Sequence, residues 1–317
     1  MTANQIYGFQ VAKTTDASEK VPIETGSSAV PLDISPKPIN AVPVRHPGRW
    51  FAVGALCVAS LVATQSVATN PNFHWQTVAT YVFDPLVLSG VCWTLAITVI
   101  SMAVAIALAI CLALMRESEN ALIRSLSWLW VWFFRGTPVY TQLVFWGLVS
   151  VLYSRISIGM PFGPELASFR TKDVITPGVA AIIGLAFNES AYLAEIFRAG
   201  LKSIDSGQRE AAASIGMRHM QTLYRIVLPQ AMRMIVPPTG NETIGMLKTT
   251  SLVLAVPLTL DLNFVTNSIA NRLYLPIPLL IVSALWYLTI TSVLMIGQHY
   301  LERHFGKGVD RPEMPHV

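Results

Sequence analysis

Charge is what this 317-residue chain has least of. Lys, Arg, Asp and Glu make up 13% of it against 53% apolar residues; soluble domains carry about twice that charged share. So little charge cannot cover a water-exposed surface of this size, which excludes an ordinary soluble domain. Cysteine is scarce too. Cys57, Cys92 and Cys111 are odd in number, form no C-x-x-C spacing and sit within apolar stretches. That excludes a disulfide framework or a zinc or redox motif, and leaves packing as their role. His74, His219, His299 and His304 show no metal-ligand spacing. A phosphate-cradling loop is missing as well, since it needs G-x-x-x-x-G-K-[ST]. The only Gly-Lys pair, Gly306-Lys307, has Leu301 where the earlier glycine belongs and Gly308 where the hydroxyl belongs. No basic cluster with interleaved aromatics points to nucleic acid. The net charge of +4 instead reflects cations that flank apolar segments.

What is present is long uncharged sequence. A helix needs about 20 apolar residues to cross the hydrocarbon core. Residues 50–69 carry no charge, nor do 86–115; 126–154 hold only Arg135. Residues 177–197 hold Glu189 and Glu195, 235–260 hold Glu242 and Lys248, and 273–298 hold none. The expected fold is therefore an all-α membrane protein with six transmembrane helices. The first is polar in its second half, at Ser60, Thr64, Gln65, Ser66 and Thr69. Because 49 residues precede it and no A-x-A site follows, it reads as a retained anchor rather than a cleaved signal.

Lys and Arg set the expected orientation. Arg45 and Arg49 precede the first span, Arg116 and Arg124 flank the second loop, and Arg303, Lys307 and Arg311 end the chain. Between Arg198 and Arg233 lie Lys202, Arg209, Arg218 and Arg225, whereas 70–85 has no cation. The loop with Arg155, Arg170 and Lys172 falls on the outer side, balanced by Glu165 and Asp173. Six spans with both termini cytoplasmic satisfy this alternation. The first 44 residues, with Pro22, Pro31, Pro36, Pro38 and Pro43 among Ser, Thr and Lys, cannot support a core and read as a disordered tail. The expected organisation is a cytoplasmic tail and basic flank at 1–49, an N-terminal helix at 50–69, a membrane domain at 85–303 and a cytoplasmic tail at 304–317.

The loop at 200–235 is far longer than a turn between neighbouring helices needs. Asp205 and Ser206 are N-cap residues, Ala211, Ala212 and Ala213 favour helix, and Gly216 can take the left-handed conformation that stops it. A second amphipathic run, Met217 to Val227, is expected to end before Pro229. Small side chains leave one face bare enough for another protein to approach; a solvated helical loop is the alternative.

Charges inside spans are costly unless they face a cavity or a partner. At about 100° per residue, Asn188, Tyr192, Glu195 and Ala199 share a face with Glu189 a quarter turn away. On the next span Asn241, Gly245 and Lys248 share a face, and Glu242 stacks with Thr249. These two helices are expected to line a cavity. Glu189 or Glu242 would suit an ammonium; Lys248, Thr249, Thr250 or free backbone N–H groups would suit a carboxylate. Glu195 with Arg198 can equally form an interfacial pair, Lys248 can neutralise a glutamate, and Arg135 can snorkel to the inner interface while Pro138 bends its helix. Pro237-Pro238 reads as a helix start or kink.

The spacing Glu210-Ala211-Ala212, Gly216, Ile226, Leu228-Pro229 resembles the cytoplasmic loop motif of bacterial ATP-binding-cassette importer permeases. Arg135-Gly136-Thr137-Pro138 with Gln142, the run from Ala191 to Gly200, Leu228-Pro229-Gln230-Ala231, and the run from Leu247 to Val253 are similar to the branch that handles His, Glu, Gln, Arg and opines. Together these stretches span about 85–303. The resemblance implies a five-helix core, so 50–69 is an addition. It implies a non-enzymatic membrane subunit paired with an identical or related permease, in a cell inner membrane. Two separate ATPases would bind ATP, leaving no cofactor on this chain, and an extracytoplasmic binding protein would deliver a polar amino acid. The helix at 206–215 would then seat in a groove of the ATPase. Relatives often carry Lys-Asp-Thr where this chain has Lys248-Thr249-Thr250, so a carboxylate is missing here. Rival classes are an ion-coupled secondary transporter, which has no need of the long loop, a receptor or assembly scaffold, and a permease for another solute such as an oligopeptide or metal.

Overall fold

The computed structural model describes residues 47–159 and 165–306. The expected N-terminal tail, up to residue 46, and most of the C-terminal tail lie outside the described residues. The chain divides into Met1–Ser60 and Leu61–Val317. The described part of the first unit is the start of α1 (Pro47–Thr69), an apolar helix whose side chains, Trp50 and Phe51 among them, are exposed.

In the second unit a short 3-10 turn (Pro71–Phe73) and α2 (Trp75–Tyr81) lead to α3 (Pro85–Arg116). Asp84 caps α3 by accepting from the Leu86 N–H at 2.8 Å, and Pro85 takes the position where a missing N–H costs nothing. Next come α4 (Ala121–Gly136) and α5 (Val139–Leu152). The sequence reads 126–154 as one continuous span; the structure breaks it at Thr137 and Pro138, both in extended backbone. Proline pushes its predecessor out of the helical region, and two amides collect the freed carbonyls. Gln142 Nε2 donates to the Phe134 and Thr137 carbonyls at 3.1 Å each, and Asn188 Nδ2 donates to Phe134 at 2.8 Å.

A two-stranded antiparallel hairpin follows, β1 (Arg155–Gly159) on β2 (Glu165–Arg170), with Arg155 opposite Arg170. It is a small local addition to the all-α membrane fold that the sequence predicts. These residues are nearly all exposed, so burial left no trace in the hydropathy pattern. After α6 (Thr171–Val174) comes α7 (Pro177–Lys202), which packs most extensively on α3. The seam is built of small residues: Ala105, Ala109 and Ala113 on α3, with Ala180, Ala181, Ala186, Ala191 and Ala194 on α7, are all buried. Small side chains let helices approach closely in lipid, where apolar burial drives little association.

The long loop folds as α8 (Ser206–Ser214), α9 (His219–Thr222), a π turn (Leu223–Val227) and α10 (Leu228–Thr249). The run from Met217 does not end before Pro229. It widens into the π turn and continues into α10, which relieves the clash between a proline ring and the preceding turn. Pro237 and Pro238 likewise lie inside α10 and start nothing. Gln298 Nε2 donates to the Pro237 carbonyl at 2.7 Å and ties α10 to the last helix at this point, and Thr239 Oγ1 donates to the Ile235 carbonyl at 2.7 Å. The helix stops at Thr249 and tightens into a 3-10 stretch, Thr250–Ala255, rather than running on to 260. Then α11 (Leu262–Leu273) and α12 (Pro276–Phe305) complete the chain.

Among the described residues four helices are long and apolar enough to cross a membrane: Gly48–Thr69, Pro85–Arg116, Pro177–Lys202 and Pro276–Phe305. The other two expected spans correspond to the interrupted α4–α5 pair and to α10, which carries Glu242 and Lys248.

One close approach holds α11 against α3. A Cβ on Gly90 would lie 2.9 Å from the Leu262 Cα, and Thr94 Oγ1 accepts from the Leu262 N–H at 3.1 Å. Backbone cannot swing aside as a side chain can. Gly90→Ala is therefore expected to cost about 1–3 kcal/mol, read as a lower midpoint in thermal unfolding of the purified protein. Gly136→Ala, with nothing within 4 Å, is the control.

Candidate functional site

Two recesses meet at one tyrosine. The first, about 260 Å³, is lined by Asn188, Glu189 and Tyr192 of α7, by Glu242, Gly245, Met246 and Thr249 of α10, and by Val139 and Leu185. The carboxyl groups of Glu189 and Glu242 lie together in its wall, close enough to share a hydrogen bond. Glu189 is 9% exposed, and its Oε1 has no hydrogen-bond partner among the described residues. Two like charges in one low-dielectric recess repel unless a cation or a proton stands between them.

α7 and α10 thus line a cavity as the helical spacing predicts, but with fewer residues. Glu195 points elsewhere: its Oε2 accepts from Arg198 Nη2 at 2.6 Å and Nε at 2.9 Å. Lys248 and Asn241 are exposed, and neither lines the recess. Lys248 makes no ion pair among the described residues. Thr250 is fully buried and donates to the Leu247 carbonyl. The reason is the helix end: beyond Thr249 the 3-10 turn rotates the backbone, and the 100° spacing no longer applies.

The second recess, about 510 Å³ and open, is lined by Arg116, Trp128, Val131, Trp132, Arg135, Gly136, Tyr192 and Glu195. The exposed Arg135 side chain reaches the Tyr192 ring, with its guanidinium 5.1 Å from the centroid. The sequence marked Arg116 only as a loop cation and passed over the two tryptophans; only the packing of α3, α4 and α7 brings them together.

On the long loop, Asp205 Oδ1 accepts from the Gly207 N–H at 2.6 Å and starts α8. The Met217 N–H bonds to the Ala212 carbonyl at 3.0 Å and the Gly216 N–H to Ala213 at 2.9 Å, with Gly216 at φ +76°. This is a Schellman stop, which needs a left-handed residue where Gly216 sits. Glu210, Ala211 and Ala213 are exposed, but Ala212 is 1% exposed and belongs to the fold's own packing, not to a bare outer face. Ile226 and Leu228 are half-buried and Pro229 is exposed. Leu228 and Tyr224 border an apolar groove of about 590 Å³. The loop also exposes Ile215 (77%), Met220 and Tyr224, apolar residues that its polar composition hides.

The model of the family described as "Binding-protein-dependent transport system inner membrane component" matches residues 105–307. The chain belongs to this family. It is accordingly an integral membrane permease subunit of an ATP-binding-cassette transporter, not an enzyme, and it works with separate ATPase subunits and a substrate-binding protein. That excludes the ion-coupled and scaffold readings. The arginine transport system permease protein ArgU of Corynebacterium glutamicum is 46% identical over 276 residues, 87% of this chain and 86% of the relative. The nopaline transport system permease protein NocM of Agrobacterium fabrum is 32% identical over 226 residues, 69% of this permease and 89% of that one. A crystal structure titled as an amino acid ABC transporter with histidines matches with TM-score 0.57 and 30% identity, covering 70% of this permease and 95% of that chain. An inward-facing methionine transporter, MetNI, shares the fold with TM-score 0.53 at 17% identity, covering 69% and 96%.

Proposed function

We propose that this permease forms the translocation path of an ATP-driven importer of polar amino acids carrying a cationic side chain, of the arginine kind. The paired carboxyls of Glu189 and Glu242 carry the reading. A recess of that polarity within membrane helices stabilises a bound ammonium or guanidinium and excludes an extra carboxylate. The arginine permease among its relatives supports the same class. Tyr192, Asn188 and Thr249 complete the wall.

In this reading six spans, 50–69 and five within 85–303, sit in a bacterial inner membrane with both termini and the 200–235 loop cytoplasmic. Two permeases, identical or related, enclose the path. The ATPase seats against α8 through Glu210, Ala211 and the corner at Gly216, while Ile226, Leu228 and Pro229 carry the movement through the π turn into α10, which bears Glu242. Ala212 holds the corner to the rest of the loop. Asn241, Lys248, Thr250 and Glu195 lie outside the acidic recess and have no part in it.

The experiment is uptake by the complete complex, reconstituted in liposomes with its ATPase and binding protein. Labelled arginine should accumulate only with internal or external ATP on the ATPase side, and lysine or ornithine should compete where glutamate does not. Accumulation driven by an ion gradient without ATP, or a preference for glutamate, contradicts the proposal.

A further inference from the structure

The open recess beyond Tyr192 holds an imbalance of charge. Glu195 is its only carboxylate, and Arg198 already occupies Oε2 from outside the lining. Arg116 reaches the other oxygen only at 4.0 Å, and its Nη1 is buried without a hydrogen-bond partner among the described residues. Arg135 makes no ion pair among them; its guanidinium lies over the face of Tyr192. Two guanidiniums thus share a recess with one carboxylate that is already engaged. A charge next to membrane helices is stabilised only by a counter-charge or water, and an unmatched donor on a buried guanidinium is costly. Arg presents paired N–H groups in the geometry that matches a carboxylate.

We infer that Arg116 and Arg135 form an anion subsite that receives the α-carboxylate of the transported amino acid. It lies across Tyr192 from the acidic recess. The inference rests on the proposed function, because it presumes that an amino acid occupies the first recess. Tyr192 lines both recesses and carries Arg135 on its ring, so a zwitterion can hold its cationic end at Glu189 and Glu242 while its carboxylate draws Arg135 off the tyrosine. Trp128 and Trp132, stacked at 6.1 Å, line the recess beside the guanidiniums. The anionic headgroup of a lipid presents similar chemistry, and the recess is open enough to admit one, so the test separates the two.

The permease–ATPase complex, purified without binding protein, is titrated with labelled arginine and with labelled agmatine, which keeps the guanidinium and lacks the carboxylate. Arg135→Gln should weaken arginine binding by about tenfold or more, the loss expected of one charged contact, and leave agmatine binding unchanged. Arg135→Lys should recover part of the loss. Glu242→Gln should weaken both ligands. If Arg135→Gln weakens both ligands equally, or neither, the subsite is wrong while the acidic recess stands. If the wild-type complex binds neither ligand, the proposed function fails and takes the subsite with it. Repeating the titration in nanodiscs with and without anionic lipid settles the source of the anion. If anionic lipid changes ATPase activity through Arg135 while arginine binding does not depend on Arg135, the site belongs to lipid and the inference is overturned.

Discussion

Gly216→Val is expected to cut ATP-driven uptake by about five- to thirtyfold while the permease still inserts and purifies. The corner has φ +76°, and no atom lies within 4 Å of the position a Cβ would take. Space is therefore not the issue. The cost is all in the backbone, where a left-handed L-residue loses about 1–2 kcal/mol and a β-branched one more. The two Schellman bonds from Gly216 and Met217 depend on that conformation. Without them the direction of the chain leaving α8 is no longer fixed, and a pull on α8 dissipates in the corner instead of reaching the π turn and α10. Asparagine tolerates the left-handed region better than other side chains, so Gly216→Asn should keep most of the activity. The readout is the ratio of substrate moved to ATP hydrolysed, with membrane insertion as the control. Equal ratios in wild type and Gly216→Val would remove the corner from the coupling path.

A larger loss is expected from the double variant Glu189→Gln with Glu242→Gln. Gln keeps the volume and hydrogen-bonding capacity of the recess and removes its charge, so the fold should survive. With no counter-charge, a guanidinium entering the recess bears an uncompensated desolvation cost of several kcal/mol, so uptake should fall by about a hundredfold or more. Binding-protein-stimulated ATP hydrolysis should persist, because α8 and its contacts are untouched. Single variants should show smaller losses that do not add, since removing either carboxyl also relieves its repulsion on the other. Retention of arginine uptake in the double variant would show that the acidic pair is structural.

Much of this was legible in the residues because lipid simplifies the physics. Apolar runs located α1 and α3 almost to their ends and the positions, though not the C-terminal ends, of α7 and α12, and glycine chemistry located the stop of α8. Helical spacing suggested that α7 and α10 line a common cavity, but it set Glu189 a quarter turn off the Asn188 and Tyr192 face and did not single out its pairing with Glu242. Where backbone departs from regular helix, spacing fails. Thr137-Pro138 splits α4 from α5, and the 3-10 turn after Thr249 carries Thr250 into the interior. Pro229, Pro237 and Pro238 read as boundaries, yet the helix runs through them, with a π turn before Pro229 and a tertiary contact from Gln298 at Pro237. The Gln298 contact comes from a helix 61 positions away. The meeting of Arg116, Arg135 and Glu195 is tertiary in the same way, drawn from three helices whose sequences show no common pattern.

The most direct test of the account is protection of a single cysteine in the acidic recess. Cys57, Cys92 and Cys111 are exposed on apolar helices, so they are first replaced by serine or alanine. Thr249→Cys then lines the recess, and Lys248→Cys, one residue earlier, is exposed outside it. A cationic methanethiosulfonate reagent should label both. Arginine should slow labelling at position 249 and leave position 248 unaffected, and glutamate should protect neither. Equal rates at position 249 with and without arginine, or protection by glutamate, would contradict a cation site between Glu189 and Glu242.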